Sequence, residues 1–155
     1  MNILYLHGYN SVNINSRTEW LSTKGNLTNP LMDYHNYVES YQYLDKIVVK
    51  NKIDIIVGSS LGGLLGFYLA NYHNLKTVLL NPALIMGNVL RPDNRQLATQ
   101  AKHFISLGKH DDVIPPHTTK AVLKEVKSNY FIKEYNIGHK TTFDVFLDIC
   151  KISGL

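Results

Sequence analysis

The chain has 155 residues, 45% of them hydrophobic, and a formal net charge of +4. That length suits one domain around one core, so residues 1–155 read as a single unit. The composition argues against disorder, and no apolar run is long enough to cross a membrane. The positive charge is dispersed over Lys24, Lys46, Lys50, Lys52, Lys76, Lys102, Lys120, Lys124 and Lys127, with Glu125 among the last three. That pattern reads as solvated surface and predicts no nucleic-acid partner. Cys150 is the single cysteine and cannot close an internal disulfide. The first six residues run straight into His7-Gly8-Tyr9 without the basic start and long apolar stretch of a secretory signal, so a cytoplasmic location is expected.

In chain order, short apolar runs alternate with stretches of helical spacing. The runs are 3–6, a weak one at 30–34, then 53–57, 75–80, 103–107 and 130–135. Helical spacing covers 16–24, 37–50, 61–73, 117–127 and 142–151. Segment 84–101 is less regular and contains Pro92; it reads as a small flap at most. Several runs are apolar at every position, as a parallel sheet covered on both faces requires. The expected architecture is α/β: a three-layer sandwich around a mostly parallel sheet of about six strands, with right-handed crossovers.

In such sheets ligands gather beyond the carboxyl ends of the strands. The residues standing there are His7-Gly8-Tyr9-Asn10-Ser11, Gly58-Ser59-Ser60-Leu61-Gly62, Asn81-Pro82-Ala83, Gly108-Lys109-His110-Asp111-Asp112 and Gly138-His139. Gly58-x-Ser60-x-Gly62 permits a sharp strand-to-helix turn with the serine at its apex. Ser60, rather than Ser59, has glycines two residues away on both sides. The competing explanation is a serine that merely caps the following helix.

A serine hydroxyl needs a base to take its proton, and the base needs a carboxylate to orient it. Asp111 follows a strand closely enough to serve; Asp112 is the rival, and either acid suits a turn cap before Pro115 and Pro116. Among seven histidines, His139 sits in the loop after the last strand, where a base would overhang the site. His7 precedes the serine and reads chiefly as a brace for the first loop. His35, His73 and His103 look like surface or junction residues, and His110 and His117 lie too near Asp111 in sequence. Oxyanion donors are expected at the amides of Tyr9 and Leu61. His7, Gly8 and Asn10 are grouped with the substrate side, and Tyr9 suits the pocket wall equally well. No histidine pair has metal-ligand spacing and no CxxC occurs, so neither a metal nor a cofactor is expected.

The set "YLHGYNS", "GSSLGG", "LNPAL" and "GH" resembles the α/β-hydrolase superfamily, and within it the small bacterial esterases of the YqiA type that lack a cap domain. The segment "GKHDDVIP" is closer to the general superfamily form, and Lys140 follows the histidine where an aromatic residue commonly comes soon after. The resemblance implies Ser60 as nucleophile, Asp111 as acid, His139 as base, and esterase or thioesterase activity on small acyl substrates. The alternative is a binding or regulatory protein on the same scaffold. A monomer or a homodimer is expected, with a shallow, open acyl pocket.

Overall fold

The computed structural model of the chain describes residues 1–87 and 100–155. Six strands form one parallel sheet: β1 (Asn2–Leu6), β2 (Asn26–Thr28), β3 (Ile55–Ser59), β4 (Lys76–Leu80), β5 (Lys102–Gly108) and β6 (Asn129–Tyr135), in the order β2-β1-β3-β4-β5-β6. The described helices are α1 (Ser16–Ser22), α2 (Tyr37–Lys50), α3 (Leu61–His73), α4 (Pro116–Glu125) and α5 (Phe143–Ser153). The chain order switches direction between β1 and β3, the kind of point at which open α/β sheets place their ligands.

The three layers follow from strand parity. Successive side chains of a strand face opposite sides, so Ile3 and Tyr5 of β1 enter one core while Leu4 and Leu6 enter the other. Ile55 and Val57 join the first with Val78, Phe104 and the α5 residues Phe146 and Ile149. Ile56, Leu79 and Ile105 join the second, against Leu44 of α2, Leu65 of α3 and Leu123 of α4. The inner strands are apolar on both faces because helices cover both, with Thr77, His103 and Ser106 as buried polar exceptions. Edge strand β6 is not enclosed in this way and carries Lys133 and Glu134 in solvent.

The weak strand expected at 30–34 is corrected: the edge strand is Asn26–Thr28, in register with Asn2–Leu4. Pro30 has no N–H for a ladder, and the Met32 N–H is taken by His7 Nε2 at 2.9 Å. The flap expected within 84–101 begins with a 3₁₀ turn at Leu84–Met86, and its remainder at 88–99, with Pro92, lies outside the described residues. No helix among the described residues is long and apolar enough to cross a membrane.

His103 is also corrected, from surface or junction to core. It is fully buried in β5, with Nδ1 2.9 Å from Thr77 Oγ1 and its ring 4.7 Å from that of Phe67. Burial disfavours the imidazolium and pushes its pKa from 6.5 down to about 4. The unfolded chain therefore takes up a proton at a pH where the folded chain does not. The contribution is intact above pH 6.5 and is lost as pH falls towards 4, by about 3 kcal/mol in all. Urea unfolding across this range should show the loss in the native chain and a flatter profile in His103→Gln. Parallel profiles would contradict it.

Candidate active site

The backbone at the end of β3 makes the turn that the glycine spacing requires. Ser60 has φ 52° and ψ −116°, a strained conformation for a residue with a Cβ. A Cβ on Gly58 would lie 2.5 Å from the Gly62 carbonyl oxygen, and one on Gly62 would lie 2.3 Å from that of Leu6. The strand end and the first helical turn therefore cross at a distance that admits only glycine.

Ser60 occupies the N-cap position of α3 yet its side chain makes no capping hydrogen bond. Its Oγ lies 3.2 Å from Nε2 of His139 instead. Nδ1 of His139 is 2.8 Å from Oδ2 of Asp111. The other carboxylate oxygen, Oδ1, accepts the backbone N–H groups of Val113 (3.0 Å) and Ile114 (2.8 Å). Asp111 thus caps its own turn with one oxygen and holds the imidazole with the other. Its side chain is 1% exposed and that of His139 is 27% exposed, so the pair is shielded from behind and open in front. Asp112, the rival acid, is exposed. With Asp111 accepting from Nδ1–H, Nε2 is left as an acceptor facing the serine.

The remaining sequence candidates divide into two groups. Gly8, Tyr9 and Asn10 line a cavity of about 550 Å³ together with Ser60 and His139. Gly8 approaches the serine so closely that a Cβ there would stand 3.3 Å from Ser60 Cβ. Leu61 is the first residue of α3, where an amide has no intrahelical acceptor. His7, grouped with the substrate side but read chiefly as a brace, is not among the described residues lining the cavity. Its Nε2 accepts from Met32, so its Nδ1–H donates to the Gly8 carbonyl at 2.7 Å, and Tyr34 donates its hydroxyl to the His7 carbonyl. His7 braces the first loop from beneath. Of the other histidines, His73 pairs with Asp45, His110 bonds Asn136, and His35 and His117 are exposed.

Asn81 is the residue whose role the spacing did not reveal. It stands just beyond β4 at φ 42°, buried. Its Oδ1 accepts the Gly108 N–H at 2.7 Å, while its Nδ2 donates to the carbonyls of His139 (2.7 Å) and Gly138 (3.2 Å). One amide side chain therefore ties the start of the acid loop to the histidine loop. Gly108 completes the junction, since a Cβ there would lie 2.4 Å from the Gly138 carbonyl oxygen. An Asn-Pro pair directly after an apolar strand was the available signal.

Residues 2–94 match the model of UPF0227, described as an uncharacterised protein family. No curated protein matches the chain in sequence. Among solved structures the chain is similar to an alpha/beta-superfamily protein of Xanthomonas campestris pv. campestris (TM-score 0.72, 17% identity, covering 99% of this chain and 95% of that one). It is also similar to Zea mays acyl-protein thioesterase 2 (TM-score 0.65, 19% identity, 97% and 91% covered). A third likeness is to a carboxylesterase of Bacillus cereus (TM-score 0.66, 18% identity, 98% and 85% covered). At these identities the likeness establishes the fold, that of the α/β hydrolases.

Proposed function

The chain belongs to the UPF0227 family, and we propose that it is a serine hydrolase that cleaves carboxylic esters or thioesters through an acyl-enzyme on Ser60. The observation that carries this reading is a serine at φ 52° whose hydroxyl forgoes its helix cap and lies 3.2 Å from an imidazole already oriented by a buried carboxylate. A serine placed for helix capping has no use for that arrangement. Esterases and thioesterases among the structural neighbours give the same reaction class as context.

In the first half-reaction Ser60 Oγ bonds to the acyl carbon and gives its proton to His139 Nε2. Negative charge moves to the carbonyl oxygen, which the amides of Tyr9 and Leu61 and the positive end of α3 stabilise. The tetrahedral species collapses, the bond to the leaving alkoxide or thiolate breaks, and His139 returns the proton to that group. Water then attacks the acyl carbon, His139 takes its proton, and the carboxylic acid departs as Ser60 regains hydrogen. Asp111 keeps the imidazole in the required tautomer and stabilises the imidazolium formed in each half.

An uncharged fluorophosphonate tests this without any choice of substrate. Intact mass should show one adduct on the native chain and none on Ser60→Ala. The same variant should lose kcat towards nitrophenyl esters by about 10⁴-fold or more. A folded native chain that takes up no adduct would sink the hydrolase reading in favour of a binding role.

A further inference from the structure

The cavity beside Ser60 is asymmetric in charge. Two cations, Arg17 and Lys140, stand in its wall, and none of its described lining residues is an aspartate or glutamate. Asp111 lies behind His139 with its side chain 1% exposed. Asp144, next to the lining residue Phe143, is exposed in the first turn of α5 and is not among the lining residues. The rest of the wall mixes small polar residues such as Asn10, Asn15 and Thr142 with the aromatic Tyr5, Tyr9 and Phe143, and Val12 is the one aliphatic side chain among its described residues. A site for a long apolar acyl chain would be walled by aliphatic side chains instead.

Arg17 is held in place rather than left to trail in solvent. Asn15 caps α1 through the N–H groups of Arg17 and Thr18, which fixes the backbone at the cavity's edge. One guanidinium nitrogen, Nη2, donates to the Thr141 carbonyl, two residues beyond His139, and the group lies 5.8 Å over the Phe146 ring. A guanidinium has five N–H donors in a rigid plane, and this one has no carboxylate partner among the described residues. A half-buried, braced arginine without a counter-ion beside a candidate nucleophile is a prepared anion site.

We propose that the substrate is an ester or thioester carrying a second, anionic group, a carboxylate or phosphate, which Arg17 binds while Lys140 adds to the positive field. This rests on the hydrolase reading and narrows it. The anion can belong to the acyl group or to the leaving group, and both place it in the same cavity.

Two matched pairs of esters separate these sources. The mononitrophenyl ester of adipic acid, set against its methyl ester, carries the charge on the acyl side. Acetoxybenzoate, set against methyl acetoxybenzoate, carries it on the leaving group. In at least one pair kcat/KM for the anion should exceed that for the neutral partner by about tenfold, the effect of one charge-assisted contact. The ratio should shrink with added salt. It should fall towards one in Arg17→Gln, which keeps an N–H for the Thr141 carbonyl, and survive in Arg17→Lys. A purely structural Arg17 would lower both members of a pair together and leave the ratio alone. That result, or a native ratio near one in both pairs, overturns the proposal. Fluorophosphonate labelling of Ser60 reports the hydrolase reading by itself. If labelling fails, thermal melts with adipate against neutral adipamide still decide the anion site. Stabilisation by adipate alone, lost in Arg17→Gln, supports it; equal melts refute it.

Discussion

Asp111→Asn should fold as the native chain does and lose about 10³–10⁴-fold in kcat on any ester it accepts. The argument rests on which way the new amide must face. In the native chain Oδ1 receives two backbone N–H groups, from Val113 and Ile114, and Oδ2 faces Nδ1 of His139. An asparagine places its carbonyl oxygen under those two donors, because an NH₂ there would meet N–H head on and leave buried donors unpaired. Its NH₂ then points at His139, which has to present Nδ1 as an acceptor. The ring proton moves to Nε2, the nitrogen 3.2 Å from Ser60 Oγ. A base already protonated at the atom facing the nucleophile cannot take its proton. The Asp112→Asn change touches an exposed carboxylate and should alter the rate less than about twofold, in line with other surface substitutions. Steady-state kinetics on a nitrophenyl ester, with circular dichroism to verify folding, check both. A loss under tenfold in Asp111→Asn would remove Asp111 from the mechanism.

Strand placement was legible where burial dictates composition. The inner strands are apolar on both faces because helices cover both, and their ends announced where polar residues would cluster. Positions 60, 111 and 139, drawn from three separate strand ends, do come together in space. The edge strand was not legible in this way. Asn26–Thr28 is three residues with one apolar side chain, and only pairing with β1 makes it a strand. His103 was misread because a buried imidazole requires partners, and Thr77 and Phe67 are supplied by other elements. Asn81 and Arg17 share a different obstacle. Each acts on the loop around His139 from a distant part of the chain, through the carbonyls of Gly138, His139 and Thr141. Backbone acceptors leave no trace in side-chain spacing, so a bond to one is invisible until the loops are folded against each other.

Gly62→Ala should be strongly damaging although it adds a single methyl. Within an exposed helix such a change is favourable by about 1 kcal/mol, because alanine loses less backbone entropy than glycine. Here the added carbon would stand 2.3 Å from the Leu6 carbonyl oxygen and 2.4 Å from that of His7. Both obstacles are backbone at or just beyond the end of β1, where Leu6 pairs with Gly58 of β3 and the His7 carbonyl accepts the Tyr34 hydroxyl. Neither can swing aside as a side chain would, so α3 must withdraw from the sheet. Overpacking of this kind costs about 3 kcal/mol, which outweighs the propensity gain. The withdrawal also carries Ser60 and the Leu61 amide away from His139 and the first loop. A displacement near 1 Å costs about 10²-fold in rate, so fluorophosphonate labelling should slow at least that much in the molecules that remain folded. Gly66→Ala, one turn further along α3, separates the local clash from any general intolerance of the helix. Its Cβ would meet Ile56 Cγ2 at 3.1 Å, a methyl that can shift by a few tenths of an ångström. Propensity and crowding then nearly cancel, and its unfolding free energy should stay within about 1 kcal/mol of the native chain. If urea melts ranked the two variants equally, close packing of the turn against β1 would not be what sets Ser60 in place. The glycine at position 62 would then need an explanation other than the contact distances at this strand-to-helix turn.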